Sequence, residues 1–536
     1  MTKAGLDRES LDLILGTLKD LGRDLITPER CLEWDEKDEL PEDVIRKMLG
    51  PDVGLHLVFL PEDCGGLGGG AHDIYRVSEE MAKLDLGIAT AFLAIALGSD
   101  PLRVGATEEQ RQRWLGRVAE EGLIVAYGVT EPEAGSNVAA LKTVAEPIVE
   151  GDRTVAYRLN GTKQFISNGS VADLFTILAK APGGPSFFVV ERGTEGLSSG
   201  RMEVKHGIRS SNTAQVILED VVLPADQLIG LEEGKGLTQA NEVFGFTRLM
   251  VAAFGLGGGE AALERAVAYS RERKQFGKPL CALKGFTHKL LVPHVVRLEA
   301  SRSYIEQVAA RLDSGEPGLQ TEGSIAKLYA TEAGNAAAEA AIQAHGGYGY
   351  AKEYVVEKIK RDVRITTIYE GTSEIQQSII YLFRFKQTLK SKGAFYDDQA
   401  MPLRDLGSAD VGADLVARAA EALSHTITSL HRLKVSRAQH VQFELAQRIT
   451  EVEHAIAFCR RAAVSEEPGL RAACRLFAAE AVTSLAVSGV RLLASAGSEQ
   501  AVIDEYRRAI DFDRLITTSV GSEADRDAVL QWILAE

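Results

Sequence analysis

A chain of 536 residues exceeds what one hydrophobic core usually serves and predicts two to four packed units. Its 45% hydrophobic and 25% charged residues are an ordinary globular balance, which argues against a disordered, collagen-like or membrane-embedded chain. The formal charge of −16 opposes the phosphate attraction that nucleic-acid binders rely on, so no nucleic-acid partner is expected.

The first residues, Met1-Thr2-Lys3-Ala4-Gly5-Leu6-Asp7-Arg8, show neither a secretory nor a transit pattern, and a cytoplasmic location is the expectation. Apolar residues then recur at helical spacing, as in Leu11, Ile14, Leu18 and Leu21 or Val77, Met81 and Leu84, which predicts a helical amino-terminal domain over residues 1–123. A loop is expected from Pro61 to Gly70 on its turn-formers and consecutive glycines. The longest apolar run, 87–98, falls short of the ~20 residues that cross a bilayer and reads as a buried helix.

Over residues 124–237 short runs rich in Val, Ile, Phe and Thr alternate with turn signals and predict a middle β domain, barrel-like in form. Strands are expected at 174–180, 186–191 and 214–218, and Asn160-Gly161 suits a two-residue hairpin turn within 157–166. Helical periodicity returns over 238–392, a predicted bundle with long segments at 261–274 and 324–345. Residues 393–406, with Pro402 and two adjacent aspartates, read as a linker or turn. Segments 409–433, 438–464, 470–494 and two shorter ones make residues 393–536 an additional helical domain. The fold class is therefore mainly α with a central β domain. Five cysteines without CxxC spacing fit reduced thiols, and ten scattered histidines without an HExxH pair imply no metal.

Five stretches could carry chemistry. In Tyr127-Gly128-Val129-Thr130-Glu131-Pro132-Glu133-Ala134-Gly135-Ser136-Asn137 hydroxyls and small residues would let backbone amides approach a polar ring edge, while Thr130 and Glu133 equally match a helix capping box. In the run from Asp362 to Gln376, Glu370 precedes a glycine and a probable helix start. Its carboxylate could project into a dry cavity, where burial raises the pKa and strengthens a base; Ser373 and Gln376 could instead be a capping box. Arg271-Glu272-Arg273-Lys274-Gln275-Phe276-Gly277-Lys278 closes a helix with cations, which either complement the helix dipole or meet an anion. The glycines of Gln343-Ala344-His345-Gly346-Gly347-Tyr348 either cap a helix or lie against a diphosphate. Gly255-Leu256-Gly257-Gly258-Gly259-Glu260 lacks the last glycine of a dinucleotide fingerprint and has no preceding strand, so no Rossmann site is assigned there.

The order of these pieces, with Thr-Glu-Pro-x-Ala-Gly-Ser, Arg-Lys-Gln-Phe-Gly, Gln-x-x-Gly-Gly and Tyr-Glu-Gly-Thr in turn, resembles the acyl-CoA dehydrogenase family over residues 10–390. The resemblance implies FAD as cofactor and oxidation of an acyl-CoA thioester to the trans-2-enoyl-CoA, with flavin N5 taking the β-hydride, as in fatty acid β-oxidation. It implies that Tyr127, Val129, Thr130, Gly135 and Ser136 line the flavin and the thioester arm, with Phe165 and Ser167 beside the isoalloxazine. Arg273, Gln275 and Phe276, with Gln343, Gly346 and Gly347, would hold the ADP portion across a subunit interface, a site that Thr372 and Glu374 complete. Glu370 would be the base, its own backbone amide holding the thioester carbonyl, with Ser136, Tyr369, Gly371 and Arg248 against the substrate.

Some family members take the base from the residue before the arginine of Gly245-Phe246-Thr247-Arg248, where Thr247 cannot serve. Glu133 and Asn137 depart from the family's usual small residue and aspartate. By the same resemblance an electron-transferring flavoprotein accepts the electrons. Residues 393–536 are similar in position to the helical extension of the very-long-chain subgroup, which implies a homodimer. That subgroup attaches to membranes, but Phe383, Arg384, Phe385, Lys386, Lys390 and Lys392 read as a solvated helix end, and no membrane association is expected. Chain-length preference would follow the depth between helices 92–97 and 244–258. Two alternatives remain: a dehydrogenase of dicarboxylic, branched or cyclic acyl-CoAs, with Arg103 near a distal carboxylate, and a non-dehydrogenase flavin protein like the alkylation-response relatives.

Overall fold

A computed structural model describes residues 5–495, 497–518 and 521–535, leaving aside the side chains of residues 244–246, 408 and 435. The chain forms two units: Met1–Met250 with Ala309–Pro317, and Val251–Val308 with Gly318–Glu536.

In the first unit, helices begin where a side-chain oxygen accepts a first-turn amide, which satisfies donors the helix cannot. Asp7 caps α1 (Arg8–Asp24) and Thr27 caps α2 (Pro28–Lys37); α3 (Glu42–Leu49) follows Pro41. The Ala71 and His72 amides of α4 (Ala71–Leu84) donate to the Asp313 carboxylate at 2.6 and 3.1 Å. Asp85 caps α5 (Leu86–Gly105), and α6 (Glu108–Glu121) opens with a Thr107–Gln110 capping box. By length and composition α5 could cross a membrane, yet 83% of its apolar window is buried in the protein. It is a core helix, as expected.

The middle of the chain forms a seven-stranded sheet in the order β1-β4-β2-β3-β7-β6, with β5 paired to β4. Its strands are β1 (Val125–Gly128), β2 (Val144–Glu150), β3 (Arg153–Ser167), β4 (Leu174–Ala181), β5 (Gly184–Glu191), β6 (Leu197–Ser199) and β7 (Thr213–Pro224). The expected hairpin turn at Asn160-Gly161 is corrected. The turn is Gly151-Asp152, between the paired Glu150 and Arg153, and β3 runs on through 160–161. There the pairing with β7 slips by a bulge. The Asn160 side chain donates to the Asp220 carboxylate and accepts the Asp220 amide, and a Cβ on Gly161 would come within 2.4 Å of Thr143 Oγ1. Asn-Gly serves a clamped bulge and a close backbone approach, not a reversal.

Helix α7 (Gly236–Glu272) runs from the first unit into the second. A hairpin of β8 (Lys274–Gln275) and β9 (Lys278–Pro279) follows, then α8 (Lys284–Leu290), α9 (Val292–Asp313), α10 (Gln320–His345), α11 (Val355–Val363) and α12 (Ser373–Lys390). The glycine-rich stretch at 255–259 lies inside α7. A Cβ on Gly334 of α10 would stand 2.0 Å from the Gly255 carbonyl, so these glycines let two helix backbones touch.

Residues 393–406 are not a linker: Ala394–Asp405 is helix α13, which tolerates Pro402 within it. Beyond come α14 (Ala413–Arg432), α15 (Gln439–Ala463) and α16 (Pro468–Ser495), then three short helices where two were expected: α17 (Gln500–Ala509), α18 (Phe512–Thr518) and α19 (Glu523–Ala535). Helix α16 is also long and apolar enough to cross a membrane, with 61% of its window buried.

Arg384 corrects the reading of a solvated helix end. Only 4% exposed, it donates through Nε to Glu453 of α15 at 2.6 Å and through an Nη to Glu322 of α10 at 3.0 Å. The Tyr304 and Tyr396 hydroxyls also donate to the Glu453 carboxylate. Burial alone would push that carboxyl up, but Arg384 and the phenols hold it below its usual range. Glu451, just before this hub on α15, has an oxygen with no partner among the described residues, and burial pushes its pKa up to about 7.

Arg384→Met should cost about 3–5 kcal/mol in urea unfolding, because it strands buried carboxylates. Glu451 has the opposite sign to Glu453. With its folded pKa raised, its contribution is full below the unfolded carboxylate range and is lost as pH rises toward 7. Glu451→Gln should flatten the stability profile over that window.

Candidate active site

In the first unit the loop after β1 is built around Glu131, which is 5% exposed. Its carboxylate accepts the Lys142 amide at 2.6 Å, the Thr143 amide at 3.0 Å and the Lys163 ammonium at 2.7 Å. Lys163, fully buried in β3, also donates to the Val129 carbonyl at 3.2 Å, and the Gln164 amide donates to the Thr130 carbonyl. Burial pushes the Lys163 ammonium down to about 8, while Lys163, Thr143 and Lys142 outweigh burial at Glu131 and keep it ionised.

The Thr130–Glu133 capping box is not formed. Glu131 and Ala134 close a tight turn on each other's backbone, and Glu133 is exposed beside Lys142. The result is a loop buried at Val129, Glu131 and Ala134 that presents Gly135 and Ser136 to the outside. Tyr127 stacks on Phe187 with ring centroids 5.7 Å apart.

Phe165 falls in a second bulge of β3, between Lys163 and Ile166. Its φ of 57° is left-handed and its ring is 64% exposed. A bulge that re-aims an apolar ring outward is a common device beside binding sites. Ser167 pairs with Thr213 on β7 just beyond it. Arg248 is half-buried on α7, Thr247 before it is buried, and the side chains of Phe244 and Phe246 lie outside the described residues. Arg103 is engaged by Asp100 at 2.8 Å, which weakens its case as a receptor for a distal carboxylate.

In the second unit Glu370 sits in the turn between α11 and α12, half-buried. Its φ is 54°, and that of Gly371 is 91°. For a glutamate this backbone costs about 1–2 kcal/mol. The turn is held from within: the fully buried Gln376 donates through Nε2 to the Glu370 carbonyl at 3.0 Å and to the Gly371 carbonyl at 2.9 Å. The fully buried Lys327 ammonium of α10 also donates to the Gly371 carbonyl. A planar trans peptide then turns the Gly371 and Thr372 amides the other way. The cap of α12 is Thr372, whose hydroxyl accepts the Ile375 amide, and not the alternative Ser373–Gln376 box. Glu374 is exposed in the first turn, and its own backbone amide, with Thr372, holds its carboxyl low. Tyr369 is half-buried.

A second cluster lies at the other end of α10. Phe276 and Gly277, with φ of 53° and 75°, make a turn of the I′ kind that leaves the Phe276 ring 92% exposed. The Arg273 guanidinium lies 5.7 Å over the Tyr348 ring, and Tyr269 stacks on His345 at 4.4 Å. These contacts hold Arg273 beside the helix end that carries the exposed Gln343, Gly346 and Gly347, with Gln275 and Phe276 in the hairpin that follows Arg273. Space is open where a Cβ would stand on either glycine, and Gly346, at φ 61° and ψ −137°, occupies backbone that side chains avoid. Lys327 and His345 are eighteen residues apart on α10, about 27 Å of helix. Within one chain, therefore, the Arg273 cluster is not brought to Glu370, Thr372 and Glu374.

The roles of Glu131, Lys163, Lys327 and Gln376 in holding these loops escaped the sequence reading. Both lysines left a trace: Lys163 is in phase with the core-facing Tyr157 and Leu159 of its strand, and Lys327 interrupts an otherwise apolar and small-residue run on α10.

Family models for the amino-terminal, middle and carboxy-terminal domains of acyl-CoA dehydrogenase match residues 9–122, 126–221 and 234–382. The short-chain-specific acyl-CoA dehydrogenase of Megasphaera elsdenii is 36% identical over 366 residues, 67% of this chain and 93% of that protein. The caffeyl-CoA reductase-Etf complex subunit CarC of Acetobacterium woodii is 34% identical over 379 residues, 69% of this chain and 97% of that protein. An acyl-CoA dehydrogenase of Bacillus anthracis, solved with FAD, superposes with a TM-score of 0.87 at 23% identity, covering 99% of this chain and 95% of that one. That likeness extends the shared fold through the carboxy-terminal helices. Fold and sequence define a flavin-dependent oxidoreductase. The chain belongs to the acyl-CoA dehydrogenase family.

Glu131→Ala should release the Lys142 and Thr143 amides. Hydrogen exchange at both is expected to accelerate at least tenfold, together with a loss of about 3–5 kcal/mol from the unpaired Lys163.

Proposed function

We propose that this protein oxidises the Cα–Cβ bond of an acyl-CoA thioester to the trans-2-enoyl-CoA, with Glu370 as the base. The observation that carries the reading is the Glu370 turn: a carboxylate on left-handed backbone, its two carbonyls fixed by buried donors. Strain of this kind persists where the surroundings over-determine it, and it collects at functional sites.

The residues present fit FAD. The open glycines Gly346 and Gly347 and the Arg273 guanidinium suit its diphosphate, with Gln275, Phe276 and Gln343 around the ADP portion and Thr372 and Glu374 completing the site. Tyr127, Val129, Thr130, Gly135, Ser136, Phe165 and Ser167 suit its ring system. The span of α10 between the Arg273 cluster and the Glu370 turn supports a diphosphate grip supplied by a second copy, and with it a homodimer. When bound, FAD supplies the acceptor for the hydride that leaves Cβ.

The chain's own work is then to bind, polarise and deprotonate. A thioester α-hydrogen is too weakly acidic for a freely solvated carboxylate, so its carbonyl must be polarised as the proton leaves. We assign that donor to the Glu370 backbone amide, where an aimed N–H is worth ~3–4 kcal/mol. Ser136, Arg248, Tyr369 and Gly371 are assigned to the substrate side. The similarity to an Etf-complex subunit supports an electron-transferring flavoprotein as acceptor.

The test is anaerobic titration of the purified flavoprotein with butyryl-, octanoyl- and palmitoyl-CoA, followed by flavin absorbance. At least one should bleach the wild type. Glu370→Gln should keep its flavin and lose about 10²–10⁴-fold in the bleaching rate, the usual worth of a general base. An unimpaired variant would remove Glu370 from the mechanism.

A further inference from the structure

We infer that Lys327 is a positioning residue for the base, holding the Glu370–Gly371 turn in the one backbone conformation from which the carboxylate can reach the substrate; this rests on the assignment of Glu370 made above. Three observations combine. Lys327 is completely buried in the first half of α10, where an ammonium is costly to desolvate. It donates a hydrogen bond to the Gly371 carbonyl, the acceptor that also takes Gln376 Nε2. The two residues between α11 and α12 that lie in the left-handed region are the pair whose carbonyls these donors seize.

The consequence is mechanical before it is electrostatic. Glutamate leaves left-handed backbone readily, and what prevents this is a set of three donor contacts on two adjacent carbonyls. Gln376 alone could turn with the loop, because it belongs to α12, the helix that the loop opens. Lys327 comes from a different helix and ties the turn to the body of the bundle. The Gly371 carbonyl is also the acceptor end of the peptide whose N–H belongs to Thr372, the cap of α12. A cation on that carbonyl polarises the peptide and strengthens the amide as a donor. The field of Lys327 reaches the first turn of α12, where, after the helix amides, Thr372 and Arg364, it helps keep the Glu374 carboxyl low. Side-chain direction follows backbone dihedrals, so a turn that relaxes moves the Glu370 carboxylate, and displacement of a reacting group by about 1 Å costs ~10²-fold in rate.

The experiment uses FAD-loaded Lys327→Met, which keeps length and removes the donor, beside Gln376→Met and Glu370→Gln. Lys327→Met should bleach its flavin about 10- to 100-fold more slowly at saturating acyl-CoA, using whichever of butyryl-, octanoyl- and palmitoyl-CoA the wild type prefers. Flavin content and half-saturating concentration should stay within about twofold. Independently of activity, hydrogen exchange at the Ile375 and Gln376 amides, which close the cap on Thr372, should accelerate at least tenfold in the same variant. Should Lys327→Met not fold with flavin, Gln376→Met removes the companion donor and must show the same separation of rate from affinity. A wild-type bleaching rate, a rate that falls only in proportion to flavin content, or unchanged exchange at both amides overturns the inference. If Lys327→Met is unimpaired while Glu370→Gln is inactive, positioning fails and the base stands. If Glu370→Gln turns over, the base assignment itself fails.

Discussion

The proposed removal of a proton from carbon beside a thioester would demand a carboxylate that does not move, and the constraint that holds Glu370 is one of backbone, not of a rigid side chain. Glu370 is placed by a pair of left-handed residues whose carbonyls are gripped by Gln376 and Lys327. Those grips exist because α10 passes beneath the turn, fully buried there. Its own course is fixed by Gly255 and Gly334 meeting backbone to backbone and by Asn335, which donates to the Val363 carbonyl at 2.8 Å where α11 ends. Loosen α10 and Glu370 loses its seat.

The same solution recurs in the first unit. There the loop that carries Thr130, Gly135 and Ser136 hangs on a buried Lys163–Glu131 pair, which also orders the chain at Lys142 and Thr143. In each unit a lysine with no exposed surface reaches a carbonyl of a candidate-site loop, Val129 in one and Gly371 in the other. Buried charges are costly to desolvate, and each of these two makes a hydrogen bond to a carbonyl of its loop. The added carboxy-terminal helices are bonded to the bundle by similar means, through Arg384 of α12 and Glu453 of α15.

What could be read from the chain was what depends on local order. Strands at 174–180 and 186–191, the long helix ending at His345 and the Tyr-Glu-Gly-Thr turn all follow from periodicity or from short ordered motifs. The misreadings have a shared cause: a local signal with two physical uses. Asn-Gly serves a hairpin or a bulge, and only the pairing of β3 with β7 decides between them. Thr130 and Glu133 spell a capping box that no helix claims, because the neighbouring Glu131 turns inward to Lys163. Arg384 looks like a solvated cation until α15 covers it. Lys327 and Gln376 act on backbone carbonyls, the first across 44 residues of chain, and no side-chain motif records such a contact.

We propose above all that Glu370 takes the α-proton. Proton removal can be isolated from hydride transfer by using an octanoyl-CoA analogue whose β-carbon is replaced by sulfur, incubated with the flavoprotein in D₂O while deuterium at Cα is followed by mass spectrometry. Wild type should exchange the α-hydrogen and Glu370→Gln should not, with the analogue bound by both. Equal exchange in the two proteins would contradict the account.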